Sequence, residues 1–163
     1  MSSILIDSTE PSTLIQMLKS LCSKHNIQVE RIELRKHPDA KPETLKANPF
    51  MGSGVDYIVC DAQGKALLGV ERKTYRDTIL SLLKKEKGES RRFFRQLDNL
   101  KQFPEGVLIL EGSLPSNYTR FESHVYGLEF WCYRNQIGVV HTSGIMGSAK
   151  AILVLARKVL GFS

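Results

Sequence analysis

Residues 56–77 read Asp56-Tyr57-Ile58-Val59-Cys60-Asp61-Ala62-Gln63-Gly64-Lys65-Ala66-Leu67-Leu68-Gly69-Val70-Glu71-Arg72-Lys73-Thr74-Tyr75-Arg76-Asp77. An apolar run after Asp56 reaches a turn at Ala62-Gln63-Gly64-Lys65, and a second run from Ala66 to Val70 leads into Glu71. Two strands joined by a Gly-containing turn return Glu71 to the neighbourhood of Asp56. Glu71 and Lys73 lie two residues apart, so on a strand both side chains point to the same face. Asp77 follows one helical turn later. Glu, Arg and Lys also gather on solvated edge strands, but the apolar run before Glu71 puts these charges at the rim of a core.

Two carboxylates and a lysine in that arrangement suit metal-assisted phosphodiester hydrolysis. The acids bind a hard divalent cation through oxygen, and the cation polarises the phosphate and lowers the pKa of a bound water. The lysine ammonium steers that water or neutralises charge developing on the phosphate.

The rest of the chain agrees with a single intracellular domain, cytoplasmic, nucleoid or nuclear. Its 163 residues suffice for a real core, with 42% hydrophobic and 25% charged residues. A net charge of +6 and a pI near 9.3 favour a polyanionic partner. Cys22, Cys60 and Cys132 are odd in number and far apart, which fits buried free thiols in a reducing compartment better than disulfides or zinc. No apolar run reaches membrane-spanning length.

Ile4-Leu5-Ile6 reads as a strand ending at Asp7, followed by an amphipathic helix carrying Leu14, Ile15, Leu18, Leu21 and Cys22. Ile27, Val29, Ile32 and Leu34 suggest a strand. Residues 37–54, rich in proline and glycine, read as a loop. Helices are predicted over 76–87 and 90–103, broken near Gly88, and over 120–134 and 148–160. Strands are predicted at 107–110, a continuous apolar run covered on both faces, and at 137–141. This alternation implies a three-layer α/β domain with a central mixed sheet flanked by helices.

These residues resemble the nuclease domain of the XPF-type (XPF/Hef) structure-specific endonucleases. Asp56 and the gapless Glu71-Arg72-Lys73-Thr74-Tyr75-Arg76-Asp77 match the family's GD…ERKxxxD. Asp7-Ser8-Thr9-Glu10 matches its DxRE, and Leu108-Ile109-Leu110-Glu111-Gly112 its strand ending in Glu-Gly. The order holds from Ile4 to Leu160. Two positions depart: Thr9 stands where the family has arginine, and Val55 precedes Asp56 where it has glycine, with Gly54 one place earlier.

The resemblance implies the restriction-endonuclease-like PD-(D/E)xK fold and cleavage of branched or flapped DNA in repair or recombination. It implies that Asp56, Glu71 and the main-chain carbonyl of Arg72 hold Mg2+ or Mn2+, and that Lys73 positions the attacking water. Asp7 and Glu10 are then expected beside the metal, as ligands or as support for them, and Asp77 is expected to orient Lys73 or Arg72. On the residues alone, Asp7 and Glu10 read equally well as a helix cap and a first-turn acid. The family's tandem helix-hairpin-helix module is not found in 1–163, so the chain reads as one nuclease domain, excised or served by another chain.

Lys84, Lys85, Lys87, Arg91, Arg92, Arg95 and Lys101 concentrate basic charge beyond the hairpin. Arg91 and Arg92, with Arg72, are the candidate DNA contacts, set against a merely solvated helix face. Phe93 and Phe94 read as core residues, and His124 and His141 as structural. The run Ala151-Ile152-Leu153-Val154-Leu155-Ala156 is apolar around its whole circumference. Either it is a fully buried helix, or it joins Phe130, Trp131 and Tyr133 in a homodimer or a heterodimer with a related chain. Two other functions stay open: a catalytically silent DNA-binding or scaffold subunit, and another PD-(D/E)xK enzyme such as a junction resolvase.

Overall fold

The structure, a computed structural model, describes residues 1–35, 41–83, 89–114 and 116–162. Six strands form one sheet: β1 (Ser2–Asp7), β2 (Ile27–Ile32), β3 (Tyr57–Cys60), β4 (Ala66–Thr74), β5 (Glu105–Glu111) and β6 (Ile137–Thr142), in the order β2-β1-β3-β4-β5-β6. All neighbours are parallel except at β3, which runs antiparallel to both β1 and β4. The hairpin over 56–73 is therefore the reversal at the centre of an otherwise parallel sheet. Close packing shapes it too: a Cβ at Gly69 would lie 2.3 Å from the Phe103 ring.

Side-chain alternation divides the core in two. Ile4, Ile6, Tyr57, Val59, Leu68, Val70, Val107 and Ile109 pack against α1 (Ser12–Cys22) and α6 (Ile145–Val159). Leu5, Ile58, Leu108 and Leu110 face the other way, onto α3 (Tyr75–Leu83), α4 (Glu89–Asp98) and α5 (Glu122–Arg134). The architecture is the three-layer α/β fold expected, with a mixed sheet between helices. All three cysteines are buried and free, and no helix among the described residues is long and apolar enough to cross a membrane.

Two local readings change. The loop predicted over 37–54 contains a short helix, α2 (Pro42–Ala47). Pro42 takes its first turn, where a missing amide costs nothing. The helix predicted from Ser90 to Phe103 is α4 followed by a 3₁₀ turn, Asn99–Gln102. The break near Gly88, part of the 37–54 loop, and Lys84, Lys85 and Lys87 of the basic cluster lie outside the described residues.

The last helix covers most of its circumference and leaves Val154 exposed. Ala149, Ile152, Leu153 and Ala156 are buried in α6, with Leu155 and Val159 packed against the same cluster beside α1. Trp131 belongs to the opposite layer, against Phe94. The expected patch joining Ile152 to Trp131 is thus split by the sheet.

Candidate active site

Parallel strands aim their carboxyl ends at one edge of the sheet, where ligand sites gather. Because β3 is reversed, its start meets that edge as well. The ends of β1, β2 and β4 and the residue before β3 therefore converge, bringing Asp7, Arg35, Asp56 and Glu71 together from separate segments. Backbone pairing fixes the register: the Asp56 amide donates to the Val70 carbonyl at 3.1 Å, and the Arg72 amide donates to Asp56 Oδ2 at 2.8 Å. Arg72 is two residues beyond Val70, so its carbonyl points off the same edge of β4, toward Asp56. Gly54 supplies the left-handed conformation (φ 76°) leading into Val55 and Asp56. The glycine missing directly before Asp56 has its counterpart one residue earlier.

Asp56 and Glu71 are both almost fully buried, and Arg35 joins them. Its Nη2 lies 2.5 Å from Asp56 Oδ1 and 2.8 Å from Glu71 Oε1, and its Nε donates to the same Asp56 oxygen at 3.0 Å. Burial works against the guanidinium charge, but Asp56 and Glu71 outweigh it and hold Arg35 firmly protonated. One cation serves two acids, and the acids remain short of positive charge. Burial, then the charge of Asp56, pushes Glu71 up to about 8. Burial likewise raises Asp56 against the pull of Arg35. Arg35 was not among the sequence candidates.

Lys73 shares the face of Glu71, with Nζ 4.2 Å from the centre of the Phe93 ring. Burial lowers its affinity for a proton, opposed by Glu71 and Asp77. Asp77 stands exposed in the first turn of α3, its amide donating to the Thr74 hydroxyl at 3.1 Å. It acts on Lys73 through its charge. These residues line a cleft of about 450 Å³ with Glu10, Arg92 and Gln96.

Arg72 points to the opposite face of β4. Its Nε lies 3.3 Å from Glu10 and 3.4 Å from Glu111, and the side chain is 10% exposed. Glu10 also accepts the Tyr57 hydroxyl, and Glu111 accepts the Ser148 hydroxyl at 2.6 Å. Burial and the charge of Asp56 push Glu10 up to about 7. The Arg72 guanidinium thus sits between two carboxylates, and Glu10, held by Tyr57, stays at the rim of the cleft that holds Asp56 and Glu71.

Asp7 is likewise a structural acid. Its Oδ1 accepts the amides of Leu34 and Arg35 at 2.8 and 3.0 Å, and its Oδ2 accepts the amide and hydroxyl of Thr9. Burial opposes ionisation, but the Thr9 hydroxyl and these amides outweigh it and hold the carboxyl below its ordinary range. Its acceptor sites are taken up by the chain, so Asp7 anchors the segment bearing Arg35. The basic pair also separates. Arg92 lines the cleft beside Gln96, whereas Arg91, about 100° further around α4, faces solvent. A larger cavity, about 480 Å³ between Tyr75, Glu129 and His141, contains none of the motif acids.

The donors present fit a hard divalent cation. Glu71 Oε2 is buried with no hydrogen-bond partner among the described residues, so it has an unspent lone pair. Among those residues no group of three or more His, Cys, Asp or Glu forms a metal cluster. Two carboxylates and one carbonyl are what Mg2+ uses when it keeps water and takes further oxygens from a phosphate.

No protein-family model matches the sequence, and no curated protein matches it. Among solved structures, XPF from Aeropyrum pernix superposes with a TM-score of 0.67 at 25% identity, over 96% of this chain and 64% of that one. The same protein in complex with DNA gives 0.68 at 25% identity, over 97% and 64%. The chain thus spans just under two thirds of the length of these relatives. In its six-stranded mixed sheet and motif order, the chain is similar over nearly its whole length to XPF from Aeropyrum pernix.

Proposed function

We propose that this domain is a divalent-metal-dependent endonuclease that hydrolyses phosphodiester bonds in branched or flapped DNA. The observation carrying the proposal is the convergence of Asp56 and Glu71 on one cation, with Lys73 on the same face. A Mg2+ or Mn2+ ion held there by the two acids and the Arg72 carbonyl would polarise the phosphate and lower the pKa of a coordinated water. The Arg72 amide fixes the Asp56 carboxylate. Lys73, its proton loosened by burial, orients the attacking water and handles its proton, with Asp77 sustaining its charge. Arg92 and Gln96 offer a polar flank for the DNA backbone, and the +6 net charge draws it in. The relative's complex with DNA supports that partner.

Association through the helices completes the reading. Tyr126, Phe130 and Tyr133 are exposed along one side of α5, a stripe suited to a second copy or a related chain. One observation favours the catalytically silent alternative: the acid pair already holds a cation of the chain itself, Arg35. Incubating the protein with labelled flap, fork, four-way junction and plain duplex, with Mg2+, Mn2+ or chelator, decides between them. The proposal expects metal-dependent cutting concentrated at branch points. Binding to DNA without cleavage under any of these ions would leave the silent subunit.

A further inference from the structure

The cation shared by Asp56 and Glu71 is part of the chain itself. Arg35 Nη2 sits 2.5 and 2.8 Å from the two carboxylate oxygens. Asp56 Oδ2 already accepts the Arg72 amide, so a Mg2+ would take Asp56 Oδ1 at about 2.1 Å, in the space the guanidinium fills. Both cations cannot be there at once. We propose that Arg35 is a resident counter-ion that a divalent metal must displace, and that the displaced guanidinium takes up a phosphate of the bound DNA. The inference rests on the nuclease reading above.

The surroundings are built for a moving side chain on a fixed backbone. The amides of Leu34 and Arg35 are both tied to Asp7, the Leu34 carbonyl accepts the Gly54 amide at 3.0 Å, and the Glu33 carbonyl accepts Asn48 Nδ2 at 2.8 Å. Beyond those anchors the side chain is 27% exposed and stands between two open spaces. On one side lies the cleft with Lys73 and Arg92, and on the other a cavity of about 310 Å³ lined by Asp7, Ser8, Thr9 and Glu33. The guanidinium can leave the acids without unfolding anything.

Charge then gives the exchange a direction. A metal ion satisfies both carboxylates, so the guanidinium loses its partners and needs another anion. Its planar fork matches a phosphate in two-point contact. DNA in the cleft supplies that anion, so metal and DNA each favour the other's binding by the same factor. Without DNA, Arg35 holds the acids and weakens metal binding.

The test compares wild type with Arg35→Gln. Calorimetric titration with Mn2+ alone should show the variant binding about ten-fold more tightly, as expected if the guanidinium occupies the acids in about 90% of wild-type molecules. Equal or weaker binding by the variant overturns the proposal, as does Mn2+ binding to neither protein. Fluorescence anisotropy with a labelled duplex tests the phosphate contact. With Ca2+ present the wild-type salt slope should be steeper than that of the variant by about one, and in chelator the two should match. Equal slopes in both conditions overturn that half.

Should Arg35→Gln fail to fold, the arginine Nε–Hε resonances of wild-type protein answer the same question. The Arg35 signal must move as Mg2+ is added, and a signal that stays fixed at metal saturation overturns displacement. Failure of the nuclease reading looks different. Mn2+ binding by the variant alone, without cleavage by wild type, would support displacement and contradict the enzyme. Cleavage by wild type with unchanged affinity in the variant would do the reverse.

Discussion

Glu71 and Arg72, neighbours in sequence, serve opposite faces of β4. Glu71 meets Asp56 and Arg35, while Arg72 lies between Glu10 and Glu111. Strand alternation makes this unavoidable, and it assigns the two residues different work. On the proposed reading Glu71 takes part in the chemistry, while the Arg72 side chain braces the carboxylates beneath it.

Replacing Arg72 by Met should therefore be a stability lesion. It leaves Glu10 and Glu111 buried without their cation, and breaking such a pair costs about 3–5 kcal/mol. Thermal unfolding of Arg72→Met should show a clear loss. A fully stable variant that merely bound DNA more weakly would return Arg72 to the phosphate-contact role.

The two neighbouring arginines of α4 should behave differently in a salt titration of DNA binding. Arg92→Ala, in the cleft, should reduce the salt slope by about one, the value of a single lost phosphate contact. Arg91→Ala, on the outer surface, should change it far less. Equal losses would mean that the DNA path extends over the outer side of the helix.

Acidity gives a third expectation. A carboxyl raised in the fold holds protons that the unfolded chain has released, so stability falls as pH climbs between the two pKa values. For Glu71 that window runs from its ordinary 4.5 to about 8, and for Glu10 from 4.5 to about 7. In chelator, the melting temperature should drop from about pH 5 to about pH 8, and Glu71→Gln should flatten part of the decline. A metal-free protein whose stability rises across this window would show these acids ionised in the fold.

Association should depend on α5 rather than on the buried face of α6. Phe130→Glu places a charge in the exposed aromatic stripe and should shift the protein toward monomer in light scattering, without unfolding it. Ile152→Asp, inside the core, should unfold the domain instead. Wild-type protein that stays monomeric at high concentration would exclude the homodimer and leave a related chain as partner.

Much of this was legible in the residues. The two apolar runs flanking Gly64 specified the hairpin, and its register put Asp56 beside Glu71. The continuous run Val107-Leu108-Ile109-Leu110 announced a strand covered on both faces. Arg35 was hidden because it follows a strand without any local pattern, and its partners are far away in sequence. Its position at the carboxyl end of a parallel strand was the available signal. The role of Arg72 could have been read from parity alone, since it stands next to Glu71 on a strand. Periodicity left the last helix open between a buried element and a contact surface, because it counts apolar residues and does not reveal α1 lying alongside to cover most of them.

The central claim is that Asp56 and Glu71 hold the ion that drives hydrolysis. The most direct measurement pairs Mn2+ calorimetry with cleavage of a labelled branched DNA, for wild type and Asp56→Ala, with folding checked by circular dichroism. The account predicts that the variant folds, still binds DNA, and loses both Mn2+ affinity and cleavage together. A folded Asp56→Ala protein that cuts DNA at the wild-type rate would contradict it.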